Sequence, residues 1–163
     1  MKWLLILLFI PFSSFCQTVH LDEDKIVYKG SVKTSASFNE MQQAVAKAIG
    51  QAKSKIISWQ TDSSSNEITA DAEMKLKSDR AMLNSMRYVF KIALKEGFYH
   101  YKIDSVYVLS KEIGYETTTI TSKELVEKLD DTGPVASAAE KQLNEIDMRF
   151  EQLTDLLKNY LKK

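Results

Sequence analysis

Histidine, cysteine and long apolar runs are what this sequence has least of. Of its 163 residues only His20, His100 and Cys16 carry imidazole or thiol. A zinc site draws three or four ligands from histidine, cysteine and carboxylate, and only His100 lies in a segment that reads as structured. A single cysteine closes no disulfide within the chain. Neither sign of charge dominates, with 22 basic residues against 22 acidic. Nucleic-acid binders show a basic face or stripe, so no nucleic-acid partner is expected. No nucleophile elbow, glycine-rich phosphate loop or metal-ligand cluster is present, and no cofactor is implied. Past Phe12 no apolar run approaches the roughly 20 residues that span a bilayer, so no transmembrane span is expected in the mature chain.

What is present begins with an export pattern. Met1-Lys2 is a short positive start, Trp3 to Phe12 is apolar, and Ser13-Ser14-Phe15-Cys16-Gln17 follows. That order of charged, apolar and small residues is the layout of a secretory signal. Residues 1–16 are therefore read as signal peptide, with cleavage between Cys16 and Gln17 and a periplasmic or envelope destination. Ser14 and Cys16 then occupy the small-residue positions. The alternative is a lipoprotein tethered through Cys16; Phe15 disfavours it, because that signal wants a small residue before the cysteine. Residues 17–24 read as a flexible leader, and 25–163 as one domain.

Within that domain the strongest signal is strict alternation. Ile68, Ala70, Ala72, Met74 and Leu76 alternate with Thr69, Asp71, Glu73 and Lys75; Met86, Tyr88, Phe90, Ile92 and Leu94 repeat the pattern. After a turn at Lys95-Glu96-Gly97 it returns through Tyr99, Tyr101 and Ile103 to about Leu109. Period two over this length means a sheet with one apolar and one wet face. Lys25 to Lys33 and Lys55 to Thr61 read as further strands, the second with Ile57 and Trp59 on one face and Ile56 on the other. Ser78 to Ser85 reads as a connection, with Met82 and Leu83 tucked toward the core.

Two helices cover the sheet. Ser37-Phe38-Asn39-Glu40 has capping-box spacing and opens a stripe of Met41, Ala44, Val45, Ala48, Ile49 and Ala52. A long helix is predicted over about 135–161, its stripe Ala139, Leu143, Ile146, Phe150, Leu153, Leu157 and Tyr160 at heptad spacing. That spacing also suits a coiled-coil partner, but the sheet needs a cover, so packing on the chain's own sheet is expected, with the C-terminal turns overhanging. Between them, 113–121 reads as an edge strand or ordered loop, and Thr121-Ser122-Lys123-Glu124 opens a short helix. The fold class is α+β: a single antiparallel sheet in the order β-α-β-β-β-β-α, with two main helices on one face.

The wet face is the natural place for a ligand. Alternation assigns it Thr69, Asp71, Glu73, Lys75, Arg87, Val89, Lys91, His100, Lys102 and Asp104. Arg87, Lys91, His100, Lys102 and Asp104 are the candidate binding residues. Asp71 and Glu73 are spaced like an acid–base pair, but alternating charge on a strand face is ordinarily solvation. A catalytic reading needs His100 enclosed with a carboxylate such as Asp104.

The segments Lys55-Ile56-Ile57, Glu67-Ile68-Thr69-Ala70, Tyr88-Val89-Phe90-Lys91-Ile92, the Gly97 turn and Tyr99-His100-Tyr101-Lys102-Ile103 together resemble the bacterial domain-of-unknown-function family 4468. The resemblance runs from about Ile26 to Leu109. It implies a TATA-binding-protein-like (TBP-like) fold and a secreted or envelope protein of Gram-negative bacteria, with no assigned activity and no site residues. DNA binding does not follow, because the eukaryotic namesake bends DNA with a tandem-repeat sheet and apolar wedges. The expectation is an exported, non-catalytic binding or structural module, with an envelope protein or a second copy as partner. The alternative is a carbohydrate- or small-molecule-binding domain using Trp59 and Tyr107.

Overall fold

The computed structural model describes residues 19–22, 25–77, 82–112 and 114–162. The predicted signal segment and its Cys16–Gln17 junction lie outside them. In chain order the elements are β1 (Val19–Asp22), β2 (Lys25–Lys33), α1 (Phe38–Gln51), β3 (Ser54–Asp62), β4 (Glu67–Lys75), β5 (Met82–Lys95), β6 (Phe98–Glu112), β7 (Thr117–Thr121), α2 (Ser122–Glu127) and α3 (Pro134–Leu161). The strands form one open antiparallel sheet in the order β1-β2-β6-β5-β4-β3, and β7 also pairs with β6. β2 takes residues 98–103 of β6 and β7 takes 107–111, so the two share one edge of β6 end to end.

The alternating residues of β4, β5 and β6 build the core as their spacing predicts. Ile68, Ala70, Ala72, Met74, Tyr88, Phe90, Ile92, Tyr99, Tyr101 and Ile103 are all buried. α1 is opened by a complete capping box: Ser37 N–H donates to Glu40 Oε2 at 2.8 Å, and Glu40 N–H reaches Ser37 Oγ at 3.4 Å. Its small alanines Ala44, Ala48 and Ala52 are buried, and the helix lies beside α3 on the sheet. Phe150 of α3 is the centre of the packing. It is fully buried, with edge-on contacts to Tyr28 at 4.9 Å and Tyr88 at 5.1 Å between ring centroids. Tyr28 Oη donates to Asp147 Oδ1 at 3.0 Å, and Tyr88 Oη to Ser54 Oγ at 2.8 Å. Gly30 sits directly under the Tyr101 ring, which fills the space that a Cβ would need.

Five expectations need correction. Val19–Asp22 is not leader but a strand, hairpinned onto β2 with Val19 opposite Tyr28. Met82 to Ser85 belongs to β5 rather than to a connection, and Leu83 is exposed rather than tucked inward. In β3 a bulge between Ile56 and Ser58 sets Ile56 opposite Ala72 and Trp59 opposite Ala70. Both therefore share the core side, since an extra residue inverts the alternation beyond it. In β6 the left-handed Ser105 (φ 52°) breaks the phase, so buried residues pass from Tyr101 and Ile103 to Val106 and Val108. Finally, it is not the C-terminal turns of α3 that overhang. Leu157 and Leu161 are buried, and Thr34 Oγ1 donates to the Leu161 carbonyl at 3.1 Å. At the other end the first turn is the more exposed part, with Val135 48% exposed before Ala139 becomes buried.

Candidate functional site

Because α1 and α3 lie on one face, the opposite face of β2, β6, β5, β4 and β3 is covered by neither of them and is open among the described residues. The register arranges it in rows. Gln60, Thr69, Lys91, Lys102 and Lys29 face one another across five strands, and beside them run Asp62, Glu67, Ala93, His100 and Ser31. Three lysines thus stand side by side, although like charges directly opposite one another on neighbouring strands are destabilising. Lys102 is relieved by Asp104 Oδ2 at 2.6 Å, while Lys91 is exposed and has no ion pair among the described residues. His100 is exposed at the next row, its ring 6.4 Å from that of Phe98, itself 41% exposed. Lys33 and Lys95 extend the basic half, while Glu67, Asp71 and Glu73 of β4 make the other half acidic.

Arg87 belongs to a row of its own with Glu73, Tyr107 and Thr121. Its Nε donates to Glu73 Oε2 at 3.3 Å, and Ser85 Oγ donates to Glu73 Oε1 at 2.8 Å. The Ser85 hydroxyl, more than the guanidinium, holds the Glu73 carboxyl below its usual range. Tyr107, and after it Glu73, raise the Arg87 guanidinium further above its ordinary value.

Between the two rows lies a notch of about 830 Å³, lined by Val27, Lys102, Asp104, Ser105, Tyr107 and Thr121 among others. It exists because β2 leaves β6 at Ile103 and β7 joins it only at Tyr107. Sequence reasoning missed Val27, Ser105 and Thr121 as its walls. The available signal was the adjacent polar pair Asp104-Ser105, which interrupts the alternation and marks a bulge.

The five candidate residues therefore share the open face without forming one cluster. Lys91, His100 and Lys102 are brought together, Asp104 pairs with Lys102, and Arg87 stands apart beside Tyr107. His100 and Asp104 fall in different rows, so a His–carboxylate pair is not assembled. Trp59 and Tyr107 are likewise separated, because Trp59 packs half-buried on the core side. Among the described residues no three His, Cys, Asp or Glu side chains converge on a point that could hold a metal ion. Among them too, no helix is long and apolar enough to cross a membrane.

No family model matches the sequence, and no curated protein matches it either. Solved structures do. A TBP-like protein from Parabacteroides distasonis superposes with a TM-score of 0.60 at 12% identity, over 86% of this chain and 97% of that one. The chain shares the TBP-like fold. A DUF4468 family protein from Bacteroides ovatus, the family resembled by the strand segments above, matches with a TM-score of 0.54 at 15% identity, over 85% of this chain and 90% of that one. At these identities the likeness is one of fold, and the TBP-like sheet with helices on one face is what the three chains have in common.

Proposed function

We propose that this chain is an exported, non-catalytic envelope protein that binds a partner protein through the open face of its sheet, acidic groups of the partner meeting the lysine row. The observation that carries this reading is the lysine row Lys29–Lys102–Lys91 with His100 at its flank. It concentrates positive charge on a face that no described helix covers, and Lys91 there is exposed and without an ion pair among the described residues. The acidic residues Glu67, Asp71 and Glu73 on the same face repel a polyanion such as nucleic acid. They suit a partner whose surface carries both signs in matching order, since such complementarity fixes orientation as well as partner choice.

The test pairs Lys91→Glu with His100→Glu, both exposed positions whose change leaves the core untouched. Immobilised wild-type protein should retain a specific partner from the envelope of its native host, and the double variant should lose it. An identical set of bound proteins on both would overturn the reading. Export is tested separately by intact mass and N-terminal analysis of the protein from fractionated cells. A chain beginning at Gln17 and released with soluble periplasm is expected; a full-length chain in the cytoplasm contradicts export, and an acylated Cys16 moves the protein to the membrane surface.

A second reading, a small polar ligand or sugar, is favoured by the notch, where Tyr107 offers a ring among hydroxyl and charged groups. Added glycans that shift the Tyr107 resonances, and no longer bind Tyr107→Ala, would support it.

A further inference from the structure

The helix-covered side of the sheet holds a larger cleft, of about 1010 Å³, under the N-terminal turns of α3. The helix contributes only short side chains there, Ser137, Ala138 and Ala139, in place of the large Phe150 and Leu153 that fill the packing further along. Its floor is the core side of four strands: Leu76 just beyond β4, Asn84, Ser110 and Ile120. The two polar floor groups are joined to each other, Ser110 Oγ donating to Asn84 Oδ1 at 2.9 Å. What remains for an occupant there is mainly apolar: Ile120, Leu76 and the side chains of Val135 and Met148, 48% and 49% exposed. The volume is at the upper end of the roughly 300–1,000 Å³ of small-molecule pockets.

The charge of the cleft is mainly positive. Lys77, Lys128 and Lys141 line it; none is in an ion pair among the described residues, although Lys128 lies near enough to Glu124 to help hold its carboxyl below the usual range. The one lining carboxylate, Glu145, is already engaged: its Oε1 accepts the Lys77 backbone N–H at 2.8 Å and lies 3.5 Å from Arg149. An apolar floor beside three lysines, against a single and already engaged carboxylate, is the chemistry that receives an apolar chain ending in an anion.

We propose that this cleft binds a single-chain anionic amphiphile, its chain over Ile120 and Leu76 beneath α3 and its carboxylate or phosphate toward the lysines. The site is on the opposite side of the sheet from the open face and stands independently of the function proposed for that face.

The test is an NMR titration of the full chain with sodium decanoate, decyl phosphate and 1-decanol, each kept below its aggregation concentration. Both anions should shift the amides of Ser110, Ile120 and Ala139 saturably. The alcohol should bind at least ~10-fold more weakly, as the loss of a charge-assisted contact requires. Lys128→Glu combined with Lys141→Glu, both outside the core, should weaken the anions by a similar factor while leaving the remaining spectrum folded. A preference for decanoate points to a free fatty acid and one for decyl phosphate to a phospholipid-type head; either supports the site. No shift at the cleft, decanol binding as tightly as decanoate, or a charge-reversed variant binding as well as wild type would each overturn it.

Discussion

Replacing Phe150 by alanine should be the most costly single truncation in α3. The ring is fully buried and lies edge-on to both Tyr28 and Tyr88. Truncating a buried phenylalanine costs roughly 3–5 kcal/mol in transfer and cavity terms together. The two edge-on ring contacts, at ~0.5–1.5 kcal/mol each, place this site toward the upper end of that range. In a chain of this size each kcal/mol lowers the melting temperature by about 2–4 °C, so a fall on the order of 10–20 °C is expected. Thermal and urea denaturation followed by far-UV circular dichroism measure the temperature shift and the free energy, with Gln152→Ala on the exposed side of the same helix as control. The control should change stability by less than about 0.5 kcal/mol. Because α3 packs on its own sheet, the Phe150→Ala loss should not depend on protein concentration. A loss under about 1 kcal/mol, or one that vanishes on raising the concentration, refutes the packing, since the second is what a helix zipped to another copy would show.

Gly30→Val drives a branched side chain into the Tyr101 ring, a clash with a core aromatic, and should destabilise by at least about 1–3 kcal/mol in the same assay. Tyr99→Phe should be neutral or stabilising, because the buried Tyr99 hydroxyl has no hydrogen-bond partner among the described residues and its removal relieves an unsatisfied group. Stability should fall above pH 10: burial pushes the Tyr88 phenol up to about 12, against an ordinary value of 10.0, and burial followed by the Asp147 charge raises Tyr28 as well. An acid held protonated in the native state releases its proton on unfolding, so its stabilisation is intact below pH 10 and lost between 10 and 12 for Tyr88. That loss is on the order of 3 kcal/mol for Tyr88. Urea midpoints taken from pH 9 to 12 check it, and Tyr88→Phe should flatten the slope.

Legibility in the sequence followed how strictly local chemistry fixes geometry. The alternation from Ile68 to Ile103 determined both faces of three strands, because a one-residue slip would bury lysine and glutamate. The capping boxes at Ser37 and Thr121 located two helix starts. What escaped were single-residue events. The bulge at Ile57 and the left-handed Ser105 each invert the alternation while leaving composition unchanged, so Ile56 was read onto the wrong face and the notch beside Tyr107 was not seen. Val19–Asp22 is too short to show periodicity and gains its structure from pairing with β2. For α3 the heptad stripe from Ala139 onward marks the packed face. Periodicity records which side of a helix is apolar and not how much space short side chains such as Ala138 and Ala139 leave beside it, so the cleft has no signature in the sequence. The candidate residues on the open face were found as residues, and their rows only through the register.

If the open face is where this protein meets its partner, a crosslinker placed on that face should capture the partner. The most direct measurement is site-specific photo-crosslinking in the native host, with a benzophenone side chain in place of Lys91 on the open face or of Gln152 on the outer side of α3. The account predicts a discrete adduct from position 91 that disappears when His100→Glu is added, and none of the same mass from position 152. No adduct from position 91, or the same adduct from both positions, contradicts it.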